Sequence, residues 1–133
     1  MIRTAISSGS PFEELAGYSR ARIDGEWIFV SGTSGHDPAI GGFAATAEEQ
    51  ARRALDVIAE TLAKAGATMA DVVQVRVYLA ERDDVVPVSR LLGALFSDPR
   101  PANTTILCGF PVAEIKVEIE MVARRASGEG AGS

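Results

Sequence analysis

Pro101-Ala102-Asn103-Thr104-Thr105 leads, after a short turn, into Ile115-Lys116-Val117-Glu118-Ile119-Glu120. From Ile115 to Arg124 the residues alternate: Ile115, Val117, Ile119, Met121 and Ala123 share one side, and Lys116, Glu118, Glu120 and Arg124 share the other. A period of two is the mark of a half-buried strand. Thr104 to Cys108 reads as a shorter strand just upstream, with Pro99 and Pro101 closing whatever precedes it.

Working outward, Val88, Leu91, Leu92, Leu95 and Phe96 fall at helical spacing. Pro87 is acceptable in the first turn of that helix, and Asp83 or Asp84 is its expected cap. Before it, 71–79 reads as a strand with Val73, Val75, Val77 and Leu79 on one face and Gln74, Arg76 and Tyr78 on the other. A longer helix opens at Thr46, whose pairing with Glu49 is a capping box. Its apolar stripe is Ala47, Ala51, Ala54, Leu55, Ile58, Leu62 and Ala65, and Gly66 is placed to end it in the left-handed conformation.

Residues 32–43 read as a glycine-rich loop, without the Gly-Lys-Ser/Thr ending of a phosphate loop. Further back, 18–23 and 26–31 flank Asp24-Gly25, the signature of a type I′ hairpin. Residues 1–17 read as a loop or short arm. The fold expected is α+β: a single domain over residues 1–125 with a mixed sheet and two helices on one face, followed by a flexible tail at 126–133. The other sheet face is polar, with Gln74, Arg76, Tyr78, Lys116, Glu118 and Glu120. It meets either water or the same face of other copies.

The chain has 133 residues, of which 47% are hydrophobic and only 6% aromatic, so Ala, Val, Ile and Leu must build the core. A net charge of −5 weighs against nucleic-acid binding, which depends on neutralising phosphates. Cys108 is the one cysteine and so forms no internal disulfide. There is no apolar leader at the N-terminus and no apolar run of membrane-spanning length, so a cytoplasmic protein with no membrane partner is expected. With one histidine, His36, no metal site is expected.

Gly17-Tyr18-Ser19, Val30-Ser31-Gly32, Pro101-Ala102 and Val117-Glu118-Ile119-Glu120 together, in this order and spacing from about 17 to 125, resemble the Rid family, also called YjgF or L-PSP endoribonuclease-like proteins. The resemblance implies a chorismate-mutase-like fold and a homotrimer whose sheets line a central barrel, with a small-molecule cleft at each seam. It implies hydrolysis of reactive imines or enamines to 2-oxo acids and ammonia, with no cofactor. It carries the family carboxylate to Glu118, the tyrosine to Tyr18 and the loop glycine to Gly32. The arginine that grips the substrate carboxylate in that family is here Asn103; a cysteine frequent two positions on is Thr105; and an asparagine frequent in the second helix is Ser89.

Glu118 is therefore the candidate general acid/base, with a structural ion pair to Lys116 or Arg76 as the plainer role. Tyr18, Gly32, Arg76, Asn103 and Thr104 are the candidate substrate contacts. Arg76, on the polar face, is the expected replacement cation, ranked ahead of Arg100 and Arg20. Glu120 reads as a structural ion-pair partner. Ser31 and Ser34 have no base to activate them. Three functions follow: a Rid-like deaminase with altered specificity, a non-catalytic trimeric binder of small metabolites, and, as the weakest, an endoribonuclease.

Overall fold

A computed structural model describes residues 3–125; the expected tail at 126–133 lies outside them. The strands are β1 (Arg3–Ile6), β2 (Ala21–Asp24), β3 (Trp27–Ser34), β4 (His36–Asp37), β5 (Gly42–Phe43), β6 (Val72–Leu79), β7 (Ala102–Leu107) and β8 (Val117–Arg124). The helices are α1 (Pro11–Ala16), α2 (Ala47–Lys64) and α3 (Val85–Leu95). Six strands form one mixed sheet in the order β1-β2-β3-β8-β6-β7, and β4-β5 is a separate small hairpin. Only the β6–β7 pair is parallel, as a connection through α3 requires.

The α2 helix lies across β3 and β8 and touches α3. Its contact stripe is Ala47, Ala51, Ala54, Ile58 and Leu62, each no more than 2% exposed. The alanines let the helix approach the sheet closely, and Ile58 and Leu62 fill the space toward Val75, Val77, Ile119 and Met121. Gly66 ends the helix at φ +80, with Ala67 N–H donating to the Leu62 carbonyl (2.9 Å) and Gly66 N–H to that of Ala63 (3.0 Å), the paired bonds of a Schellman cap. No helix among the described residues is long and apolar enough to cross a membrane.

Several expectations need correction. The first seventeen residues are not a plain arm: β1 pairs antiparallel with β2, and α1 follows. Ser10 caps α1, Pro11 stands in its first turn, and Gly17 at φ +72 ends it. The Ser, Pro and Gly that read as loop composition are here the start and stop signals of a short helix. Glu13 anchors it, accepting from the Ser8 amide at 3.0 Å and from the Ser8 hydroxyl.

The hairpin turn is Gly25-Glu26, since Asp24 pairs with Trp27. Only Gly25 takes positive φ, so the turn is not type I′, which needs two such residues. Val73 does not join the inner face of its strand. A register shift between Val72 and Gln74 turns it outward, 43% exposed, and Val72 takes the buried place.

Thr46 caps α2 by accepting from the Glu49 amide at 3.1 Å, but the Glu49 carboxylate accepts from the Thr46 hydroxyl (2.9 Å) rather than from its backbone, so the box is not reciprocal. Asp84 precedes α3 without a side-chain capping bond, because a 3-10 turn at Arg82–Asp84 leads straight into the helix. The 32–43 segment is more ordered than a loop, contributing the end of β3 and the β4-β5 hairpin.

Candidate functional site

The side of the sheet away from α2 carries the polar row expected of it. Arg76 stands opposite Glu120, and Tyr78 opposite Glu118. Arg76 approaches Glu120 to 3.9 Å, and the Tyr78 hydroxyl donates to Glu120 Oε1 at 2.5 Å. That bond comes first among the causes that hold the Tyr78 phenol above its ordinary pKa, with burial adding. The same face also bears an apolar row that the alternation did not reveal: Phe29 is in register with Val122, and Phe29 and Trp27 are 47% and 42% exposed.

The site proper forms at a bulge. Val30 pairs with Met121 and Thr33 with Ile119, so Ser31 and Gly32 together face the single residue Glu120. The Ser31 hydroxyl donates to the Ser19 carbonyl (2.7 Å), and the Ser31 amide to that of Arg20 (3.0 Å), which pins the bulge to the start of β2. Gly32 is thereby brought onto Glu118: a Cβ at position 32 would lie 2.8 Å from Glu118 Oε1. Gly32 is needed for close approach, not for positive φ, which it does not have.

Glu118 is partly buried, and its carboxyl pKa is raised. Burial is the main cause; the negative charge of Glu120 adds to it and the positive charge of Arg20 opposes it. Arg20 donates from Nη2 to the Gly32 carbonyl at 2.6 Å, while its Nε is buried without a hydrogen-bond partner among the described residues. A carboxyl whose pKa is raised by burial, a neighbouring guanidinium and an exposed glycine edge are the parts of a small acid/base centre.

The other expected contacts are spread more widely. Arg76 and Thr104 are in register with each other on the same face as Glu118, but Arg76 is engaged by Glu120. Asn103 is in register with the buried Val75 and so belongs to the opposite, helix-covered side. There it accepts from the Thr105 hydroxyl (2.9 Å) and lines a pocket of about 280 Å³ between α3 and β7, with Ser89, Phe96 and Arg100. Tyr18 follows the end of α1, its amide bonded to the Glu13 carbonyl (2.9 Å), with its side chain 40% exposed. One chain thus brings Glu118 and Gly32 together and leaves Asn103 on the other side of the sheet. Arg20, ranked behind Arg76 from the sequence, stands beside Gly32 and Glu118; its place two positions after Tyr18 was the available signal.

The endoribonuclease L-PSP family model matches residues 9–125. A bovine 2-iminobutanoate/2-iminopropanoate deaminase is 31% identical over 124 residues, 92% of this chain and 90% of that one. A Streptomyces coelicolor protein, itself uncharacterised, is 32% identical over 92% of both chains. The crystal structure of Rv2704 from Mycobacterium tuberculosis, of the YjgF/YER057c/UK114 family, superposes with a TM-score of 0.83 at 35% identity, covering 92% of this chain and 99% of that one.

Proposed function

Because the chain belongs to the endoribonuclease L-PSP family, the group also called YjgF or Rid, we propose that it is a deaminase that hydrolyses a small reactive imine or enamine, with Glu118 as its general acid/base. The observation that carries this reading is the Glu118 carboxyl packed on Gly32 with its pKa raised by burial, in a chain 31% identical to an imine deaminase.

The chemistry asks little of the protein beyond proton transfer. Water adds to the carbon of the protonated imine while ionised Glu118 takes a proton from it, giving a neutral tetrahedral carbinolamine. Glu118 then returns that proton to the amino nitrogen, the C–N bond breaks as the C=O bond forms and the hydroxyl proton passes back to Glu118, and a carbonyl compound and ammonia leave. An enamine enters the same route after protonation at carbon. A carboxyl with a raised pKa exchanges protons closer to neutral pH than an ordinary one does, which suits both steps.

In this reading the cleft is closed by another copy. The exposed Phe29 and Trp27 row and the uncovered strand β7 are surfaces for assembly, and a homotrimer of the kind the resemblance implies would carry the α3–β7 pocket of one copy to the Glu118 face of the next. Asn103 then meets the ligand as an uncharged donor, and the specificity departs from that of relatives with arginine there. The test is ammonia release from imines generated in place, beginning with 2-iminopropanoate. Acceleration that disappears in Glu118→Gln supports the reading, and a full imine panel without acceleration ends it.

A second reading, a trimeric binder of small metabolites without turnover, is favoured by Asn103 alone. It predicts ligand-induced rises in Tm with no ammonia release.

A further inference from the structure

We propose that Arg20 is the cation that recognises the substrate carboxylate in this chain. The inference rests on the deaminase reading only for the class of ligand, a 2-imino acid or its 2-oxo acid product.

The need for such a cation follows from the ligand. A carboxylate leaving water for a cleft requires an ionic partner, and a guanidinium fork is the best match to its two oxygens. Asn103 carries no charge and stands on the other side of the sheet from Glu118. Arg76 is already committed to Glu120, which also accepts from Tyr78. Arg100 lines the α3–β7 pocket, so it would reach a Glu118 face only from a neighbouring copy, where it has no bond fixing it to the Gly32 bulge.

Arg20 is different in each respect. Its guanidinium is held at the bulge by one bond, from Nη2 to the Gly32 carbonyl at 2.6 Å, so its position relative to Glu118 is fixed by backbone. Its charge is felt by Glu118. Its Nε is buried and has no hydrogen-bond partner among the described residues. A carboxylate resting on the open Nη edge of Arg20 would set the adjoining imine carbon beside Glu118. The bond to Gly32 uses one of the five guanidinium protons, which leaves enough for two charge-assisted contacts.

The test reads binding rather than turnover. Pyruvate, 2-oxobutanoate and the neutral pyruvamide are titrated calorimetrically into the wild type, Arg20→Gln, Arg20→Lys, Arg76→Gln and Arg100→Gln. The wild type is expected to bind the 2-oxo acids at least about tenfold more tightly than the amide, the scale of one charge-assisted bond. Arg20→Gln should erase that preference, Arg20→Lys should keep only part of it, and the other two variants should retain it. If Arg20→Gln does not fold, Arg20→Lys decides, since it preserves the charge and loses the fork.

Preference for the acid that survives in both Arg20 variants, or that vanishes in Arg100→Gln or Arg76→Gln instead, overturns the assignment, as does a wild type with no preference. Imine turnover that persists with unchanged selectivity in Arg20→Gln removes Arg20 and leaves the deaminase standing. Arg20-dependent binding without ammonia release does the reverse.

Discussion

The Cα of Gly32 lies against the carboxylate of Glu118, so close that a methyl group on it would come within 2.8 Å of Oε1. Two elements remote in sequence meet there because the Ser31-Gly32 bulge pushes β3 toward β8. The carboxylate is walled by backbone on that side and loses solvation, and the raised pKa follows.

Gly32→Ala should separate activity from stability. The backbone at 32 is not in the left-handed region, and the atom met is the end of a flexible side chain, so Tm should change by no more than a few degrees. Glu118 must move by a few tenths of an ångström or swing away, and kcat/KM for imine hydrolysis should fall by about tenfold or more. Thermal unfolding and steady-state ammonia release, run on the same preparation, check both halves. A variant of full activity would mean that the contact is incidental.

Glu118→Gln should lower kcat by about 100-fold or more, the range of a lost acid/base. Its effect on stability runs the other way with pH. Folded Glu118 holds its proton to higher pH than in the unfolded chain, so its contribution is complete below the unfolded carboxylate pKa of about 4.3 and is lost as pH rises through the raised folded value. The stability of the wild type relative to Glu118→Gln should therefore decline from about pH 4.3 upward. Arg20 and Glu120 face the same group, so Arg20→Gln should push the folded pKa higher still. Denaturant titrations across pH measure this directly.

Gln50 is a polar residue 1% exposed within the core stripe of α2. Its amide donates to the Ala44 carbonyl (2.9 Å) and the Glu114 carbonyl (3.0 Å) and accepts from the Lys116 amide (2.9 Å), tying the segments before α2 and before β8 to one side chain. Gln50→Leu leaves those groups without partners and should cost about 2–4 kcal/mol. That is on the order of a 10 °C fall in Tm, read by calorimetry.

Gly35→Ala should be worse tolerated than Gly32→Ala, although both are close contacts of a glycine. A Cβ at 35 would fall 2.3 Å from the Gln50 carbonyl oxygen and 2.6 Å from its Cα. These are backbone atoms of α2, so the helix itself must shift, at about 1–3 kcal/mol or more. Comparative Tm values for the two alanine variants test the contrast, and equal values would refute it.

Phe29→Glu should break the assembly without unfolding the chain. Phe29 is 47% exposed on the face away from α2, in register with Val122, and its neighbour Trp27 is 42% exposed. Light scattering is expected to give the mass of three chains for the wild type and of one for the variant, with far-UV circular dichroism unchanged. Imine hydrolysis should be lost together with the assembly, since Asn103 and Glu118 of one chain do not share a face.

Much was legible in the chain itself. The stripe from Ala47 to Leu62, the alternation from Val117 to Ala123 and the stop at Gly66 each follow from local geometry: 3.6 residues per turn, two per pleat and one left-handed glycine. The carboxylate Glu118 and the glycine Gly32 were found through short motifs. What local pattern could not express was anything that depends on an extra or shifted residue. The bulge at Ser31-Gly32, the outward turn of Val73 and the displaced Gly25-Glu26 turn each alter which side a residue faces, and a period of two carries no record of a slip until the partner strand is in place. Asn103 was matched with Glu118 by motif, yet the parallel register with Val75 puts it behind the sheet. Arg20, ranked behind Arg76 from the sequence, is seen beside Gly32 and Glu118 only once β3 and β8 are paired. Composition and periodicity thus determined the layers and the core, because burial of apolar stripes is decided residue by residue; the tertiary structure decided the site, because a charge next to a carboxylate is a property of three strands and of none alone.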